Sequence, residues 1–361
     1  MRLMLEKRPE RSRVMAYASP LLAIVLTVVI GGIIFSLRGL DPVYALYIYF
    51  IEPVTSVWSI EELVVKAAPL VLIGVGLSVC YRAGVWNIGA EGQLTLGAIF
   101  GSFIPVFFTG WQSPLTLIVM LALGIIGGMA WAAIPALLKN RFNANEILTS
   151  LMLVYVAQLL LDWLVRGPWR DPEGYNFPKT VAFEDWQLLP TFADGRMHLG
   201  AVFAVIAAVV LAVMMARMLK GFEVRVIGNA PRAGNFAGFS RERVVTFAFL
   251  LSSGLAGLAG ICEVAGPVGQ LQPGISPGYG FTAIIVAFLG RLNPLGVLIA
   301  GLVVAISYLG GEAAQVALGI SDKVARVFQG ILLFLILACD TLILYRIRFE
   351  ATPRPQAVPA E

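Results

Sequence analysis

The sequence is poor in the residues that carry most protein chemistry, with three cysteines and one histidine in 361 residues. Cys80, Cys262 and Cys339 each fall inside an apolar run and never in a paired C-x-x-C spacing. That excludes a disulfide framework or a cysteine metal site and leaves three small buried hydrophobes. His198 stands alone at the edge of a predicted outer loop, where a solvated surface residue is expected and no chemistry is assigned. There is no G-x-x-x-x-G-K-[ST] phosphate loop, no H-E-x-x-H, no G-x-S-x-G and no acidic metal cluster. The chain therefore cannot hydrolyse ATP by itself, implies no cofactor, and has no nucleophile or acid pair spaced for an enzyme. Charge is scarce as well, at 13% of residues. The basic residues sit near the ends of apolar runs, not in a stripe interleaved with aromatics, which speaks against nucleic acid and for membrane topology.

What the chain has is apolar surface, 58% of its residues, more than a water-soluble fold can hide. A hydrocarbon core of roughly 30 Å needs about 20 apolar residues per helix. Such runs read at Ser19 to Leu37, Glu62 to Tyr81, Ile88 to Phe108, Pro114 to Leu138, Glu146 to Val165, Leu199 to Leu219, Val244 to Val264, Gly280 to Leu289, Leu295 to Gly311 and Val324 to Tyr345. The expected fold is all-α, a polytopic transmembrane bundle of about ten spans (range about eight to ten), with broken or re-entrant segments. The short run at Gly280 is half of a broken crossing or part of a tilted pair. The first run follows a basic tail but is too long, and lacks the cleavage pattern, for a signal peptide.

Lys139 and Arg141, the basic residues from Arg217 to Arg243, and Arg346 and Arg348 all fall on one side of a ten-span count. The positive-inside rule makes that side the cytoplasm and places both termini there. The expected organisation is a cytoplasmic basic tail over residues 1–18 and a single transmembrane domain over 19–345. That domain has an external loop at 166–198 and a cytoplasmic loop at 220–243, and a second cytoplasmic tail covers 346–361.

Two breaks interrupt the apolar pattern. Arg82 to Leu94 reads RAGVWNIGAEGQL, where three glycines, an amide and a carboxylate would leave backbone groups unpaired in lipid. It is read as a broken helix beside a translocation pathway, with Asn87, Glu91 and Gln93 as polar contacts, or as a tight interfacial turn whose Glu91 is satisfied by neighbours. Gly266 to Gly280 carries Pro267, Pro273 and Pro277, which rule out regular helix and read as an external re-entrant loop or a plain connector. Glu263, just before it, is a pathway residue or a carboxylate reaching the interface. The small residues Ser252 to Gly260 suit close helix packing. Gly221 to Arg243 mixes apolar residues at helical spacing with Arg225, Arg232 and Arg241, as in a surface helix that docks into a partner's groove or rests on lipid.

Three stretches together, Gly84 to Gln93 (GVWNIGAEGQ), Asn145 to Tyr155 (NEILTSLMLVY) and Pro273 to Gly296 (PGISPGYGFTAIIVAFLGRLNPLG), resemble the permease subunits of bacterial ABC importers for nucleosides. These lie within the branched-chain amino acid and simple-sugar permease superfamily, and the resemblance runs from about Glu62 onward. It implies an inner-membrane permease that pairs with a second, homologous or identical permease, a cytoplasmic ABC ATPase and an extracytoplasmic substrate-binding lipoprotein. The cargo would be a small-molecule substrate, a nucleoside or a simple sugar. It also implies that Gly228, Asn229, Arg232 and Gly238 mark the coupling helix that docks on the ATPase. The competing reading is an ion-coupled secondary transporter using Glu91, Glu263 or Asp340.

Overall fold

The computed structural model describes residues 2–7, 13–108, 110–192, 195–342 and 345–350. The expected tails therefore lie partly outside the described residues, at 8–12 and beyond 350. The elements in chain order are β1 (Arg2–Lys7), α1 (Arg13–Leu37), α2 (Pro42–Phe50), α3 (Val57–Arg82), α4 (Ala90–Gly101), α5 (Phe103–Phe107), α6 (Leu115–Phe142) and α7 (Glu146–Arg166). They continue with α8 (Leu199–Arg217), α9 (Leu219–Asn229), α10 (Pro231–Phe236), α11 (Arg241–Glu263), α12 (Tyr279–Leu289), α13 (Pro294–Leu318), α14 (Asp322–Thr341) and β2 (Tyr345–Glu350).

Helix dominates, as expected. The departure from all-α is an antiparallel ribbon in which Arg2 to Lys7 pair with Glu350 to Tyr345. Six helices among the described residues are long and apolar enough to cross a membrane: α3, α6, α7, α8, α11 with the π turn that extends it to Val268, and α13. The expected crossing at Ile88 to Phe108 is instead split into α4 and the single-turn-scale α5, because the glycine-rich break consumes its first residues and Ser102 separates the two pieces. A count of about ten is thus not met by long helices alone.

The chain forms two compact units, Met1–Ile48 with Ala314–Glu361, and Tyr49–Ala313. In the first, α1 packs on α14 with the Phe35 and Phe328 rings 5.4 Å apart. In the second, α3 is buried along nearly its whole length from Glu62 to Tyr81, the pattern of a helix apolar on every side. Around it α4, α6 and α11 meet through small residues. A Cβ on Gly257 would strike the Gly124 carbonyl, and one on Gly97 would strike the Gly257 backbone. The Ser252 to Gly260 stripe is therefore a packing seam. In a bilayer, association rests on such close backbone contact, since lipid tails are as apolar as leucine.

Helix ends follow local rules. Asn145 caps α7, accepting from the Ile147 and Leu148 amides at 3.0 and 3.4 Å, and Ser240 caps α11 through the Arg243 amide at 3.3 Å. Asn143 takes the left-handed conformation that ends α6. Lys139 and Arg141 close α6, Arg217 closes α8, and Arg241 and Arg243 open α11. One end of this unit is therefore basic.

At the opposite end, the 166–198 loop is laced to the segment after α11. Thr180 N donates to Leu271 O at 2.9 Å, Phe183 N to Gly269 O at 2.8 Å and Leu189 N to Ala265 O at 2.8 Å. His198 corrects the expectation of a solvated side chain. It is 2% exposed, and its Nδ1 caps α8 by accepting from the Gly200 amide at 3.1 Å. A Cβ at Gly200 or Gly266 would meet its ring, so two glycines make the space it fills. Nε2 has no hydrogen-bond partner among the described residues, and burial pushes the imidazole down to about 4. Because the folded protein binds this proton less readily than the unfolded chain, the stabilisation is present above the unfolded value near 6.5. It is lost as pH falls from there through about 4. We expect a fall in thermal stability across that window, on the order of 3 kcal/mol in total. His198→Asn, which keeps a capping acceptor, is expected to flatten the slope. Melting in nanodiscs at stepped pH measures it, and equal slopes in both proteins would refute it.

Candidate functional site

Between α3 and α4 the chain leaves helical geometry at Ala83–Gly84, with Gly84 at φ +71°. The Asn87 side chain and the amides of Ile88 and Gly89 in the following turn then find partners inside the protein. Asn87 Nδ2 donates to Gln93 Oε1 at 2.9 Å, and Gln93 Nε2 donates back to Asn87 Oδ1 at 3.0 Å. The Gly89 amide also donates to Asn87 Oδ1 at 3.1 Å, and Tyr81 OH donates to the Asn87 carbonyl at 3.2 Å. From neighbouring helices, Ser150 Oγ accepts the Ile88 amide at 3.2 Å, and Ser252 Oγ lies 3.4 Å from Asn87 Nδ2. Asn87 and Gln93 are fully buried and clasp each other, so both side-chain amides are satisfied within the protein, as buried polar groups in a non-helical membrane segment require.

Glu91 sits one residue into α4 and is 3% exposed. Its Oε2 accepts the Gly280 amide at 2.6 Å. Ser276 Oγ takes the Gly278 and Tyr279 amides at 3.1 and 2.9 Å. The first free amides of α12 are thereby consumed. At about 1.5 Å per residue α4 and α12 are roughly 18 and 16 Å long, too short to cross singly. Phe288, near the end of α12, stacks on Tyr81 at 5.2 Å, so α12 runs toward the basic end. The N-termini of two half-helices therefore meet at one carboxylate, which complements both helix dipoles.

A cavity of about 230 Å³ lies between Glu91 and Thr95 on α4, Gln158, Leu161 and Asp162 on α7, and the loop Pro273 to Ser276. Gln158 and Asp162 are one helical turn apart, and Asp162 Oδ1 accepts Arg166 Nε at 2.7 Å one turn further. This polar stripe runs along a helix whose neighbouring surface carries exposed Tyr155, Leu159 and Trp163.

Glu263 lies apart from this group, at the end of α11 and 7% exposed. Lys66 Nζ pairs with Glu312 Oε1 at 2.8 Å, and Arg196 Nη1 pairs with Glu62 Oε2 at 3.1 Å.

Near the basic end, the Gly221 to Arg243 segment forms α9 and α10. Gly228 packs on the last residues of α3: a Cβ there would strike the Arg82 carbonyl, and its own backbone lies 3.6 Å from the position of a Cβ on Gly84. Asn229 Nδ2 donates to the Arg225 carbonyl at 2.9 Å. Arg232 and Gly238 are exposed, Gly238 at φ +85° just past α10. Phe236, on the same short helix, is 95% exposed.

Of the three polar residues expected to act together, Asn87 and Gln93 bond each other, whereas Glu91 turns to the Gly280 amide and to the cavity. Ser150, Ser252, Gln158, Asp162 and Phe236 were not among the expected site residues. Gln158 and Asp162 were legible as two polar residues in the apolar run Glu146 to Val165. The serines carried no signal, since buried serines occur in any membrane helix.

Residues 59–337 match the family described as the branched-chain amino acid transport system permease component. The chain is 36% identical to the glucose ABC transporter permease protein TsgB13 of Haloferax volcanii, over 96% of this chain and 94% of that protein. It is 28% identical to the guanosine ABC transporter permease protein NupP of Bacillus subtilis, over 91% and 94%. To the nucleoside ABC transporter permease protein NupB of Lactococcus lactis it is 26% identical, over 88% and 89%.

Proposed function

The chain belongs to the branched-chain amino acid transport system permease family, and from that membership we propose that it is the membrane subunit of an ABC importer for a sugar or a nucleoside. The observation that carries this reading is the polar cavity behind α7. An amide and a carboxylate turned to hydrocarbon cost several kcal/mol, so the Gln158–Asp162 face turns to a water-filled pathway or a second permease subunit. The cavity is smaller than the roughly 300 Å³ lower bound of ordinary ligand pockets. It suits brief contact with one ring of a passing solute better than tight capture. Glu91 contributes a carboxylate to that wall, and Asn87 and Gln93 hold the turn that presents it.

The nucleoside assignment has support from the guanosine and nucleoside relatives, and the sugar assignment from the glucose relative at higher identity. Both cargoes share a hydroxylated sugar ring. A separate cytoplasmic ATPase supplies the energy, an extracytoplasmic binding protein delivers the solute, and α9 with α10 forms the coupling segment. Contact supports this last role, because Gly228 touches the end of α3 directly before the Asn87 clasp, which leads to Glu91 and to α12. A push on α9 thus meets the break in two steps. The paired terminal strands support termini on one side, and the half-helices α4 and α12 with α1 and α14 would raise the six long spans toward ten.

We expect uptake of glucose or uridine by proteoliposomes holding the full importer to require ATP and an ATPase competent for hydrolysis. Uptake driven by a sodium or proton gradient in vesicles without the ATPase would refute the reading in favour of a secondary transporter.

A further inference from the structure

The cavity between α4, α7 and the loop before α12 carries more hydrogen-bonding capacity than the protein itself uses. Thr95 Oγ1 donates to the Glu91 carbonyl at 2.9 Å, so toward a ligand this hydroxyl offers an acceptor. Ser276 Oγ accepts the Gly278 and Tyr279 amides, so its hydrogen is left to donate. Glu91 gives one carboxylate oxygen to the Gly280 amide and Asp162 gives one to Arg166 Nε, which leaves each a second oxygen. The Gln158 amide, exposed on α7, makes no hydrogen bond among the described residues and presents two donor hydrogens beside an acceptor. Glu91, Thr95, Gln158, Asp162 and Ser276 all line this one cavity of about 230 Å³.

The lining narrows the ligand. Arg166 offsets Asp162, but no Lys, Arg or His among the described lining residues offsets Glu91, so a phosphate ester meets a negative wall. A nucleobase presents a flat face that proteins hold by stacking it on aromatic rings. None of the described lining residues is aromatic. A sugar ring presents hydroxyls, each able to donate and to accept. The carboxylate oxygens take hydroxyl hydrogens, and the Gln158 amide bridges neighbouring hydroxyls by donating to one and accepting from the next. Leu161 and Ile275 on the same wall supply apolar contact for the ring's carbon face.

We propose that Gln158, Asp162 and Glu91 read the hydroxyl edge of a neutral sugar ring and leave the rest of the solute unread. A free hexose and a nucleoside of any base then meet the same contacts. This rests on the reading of the chain as a sugar or nucleoside permease and adds the part of the cargo that the membrane subunit recognises. Gln158 is the specificity-determining residue, because its amide has no bond within the protein to give up when a hydroxyl arrives.

Saturation-transfer NMR on the permease assembled with its ATPase in nanodiscs, without the binding protein, reads weak contacts proton by proton. With uridine as probe, the ribose protons are expected to receive at least three times the saturation of the base protons. Excess glucose is expected to suppress the ribose signal at least twofold, and uridine 5′-monophosphate to give a signal at least fivefold weaker than uridine. Gln158→Leu is expected to cut the ribose signal at least fivefold while the complex elutes unchanged. The wild-type pattern needs no variant, so it decides the matter if Gln158→Leu fails to assemble. Base protons saturated as strongly as ribose, no ribose signal, no competition by glucose, equal signals from uridine and its monophosphate, or an undiminished signal in Gln158→Leu each overturn the proposal. ATP-driven uptake by the full importer would then leave the permease reading standing. Absence of uptake of both glucose and uridine overturns that reading, and the role of the cavity with it.

Discussion

Gly257→Leu is expected to prevent the membrane unit from assembling, lowering the yield of monodisperse protein at least tenfold. Gly257 lies where α11 crosses α4 and α6, and a Cβ there meets the Gly124 carbonyl and the Gly128 backbone. Extra methylenes in a packed core cost about 1–3 kcal/mol when side chains can shift. Here the obstacle is backbone on another helix, so relief requires moving the helices apart and losing the close contacts that hold them. Gly330→Leu is the matched control, since a Cβ at Gly330 has no neighbour within 4 Å among the described residues. Size-exclusion profiles of fluorescent fusions compare the two, and a normal Gly257→Leu profile would show that the seam is not what holds the unit together.

Phe236→Asp is expected to abolish recovery of the ATPase with the permease, by tenfold or more, while insertion and the permease's own melting temperature stay unchanged. Phe236 is 95% exposed and one helical turn past exposed Arg232, so it buries almost nothing against the described residues of its own chain. Aromatic residues with an arginine neighbour are the usual anchors of a partner pocket. Replacing the ring with a carboxylate removes the anchor and leaves a charge to be buried. Co-purification from membranes expressing all subunits reads the outcome, and undiminished ATPase recovery would remove α10 from the contact.

The candidate site was partly legible. The break at Arg82 to Leu94 announced itself because glycine, amide and carboxylate within an apolar run are costly in lipid, and cost marks position. The same rule marked Glu263. It did not show that Asn87 and Gln93 use up each other's hydrogen-bonding groups, because two amides six residues apart have no fixed relation until a turn sets it. His198 read as surface, since a lone histidine in a polar loop gives no sign of the two glycines that admit its ring. Phe236 was hidden by its type: nothing local distinguishes an exposed phenylalanine from a buried one.

The membrane as solvent, the runs long enough to cross it, the basic end and the two interruptions all follow from composition and order along the chain. Each depends only on a residue's own transfer cost and its near neighbours. Which carboxylate closes the α12 terminus, which glycines touch, and which buried groups stay without a partner were decided by tertiary structure. Glu91 and Gly280 stand 189 positions apart. Their hydrogen bond exists because two half-helices, neither able to cross alone, bring their N-termini to the same point, and no periodicity within either segment encodes that meeting.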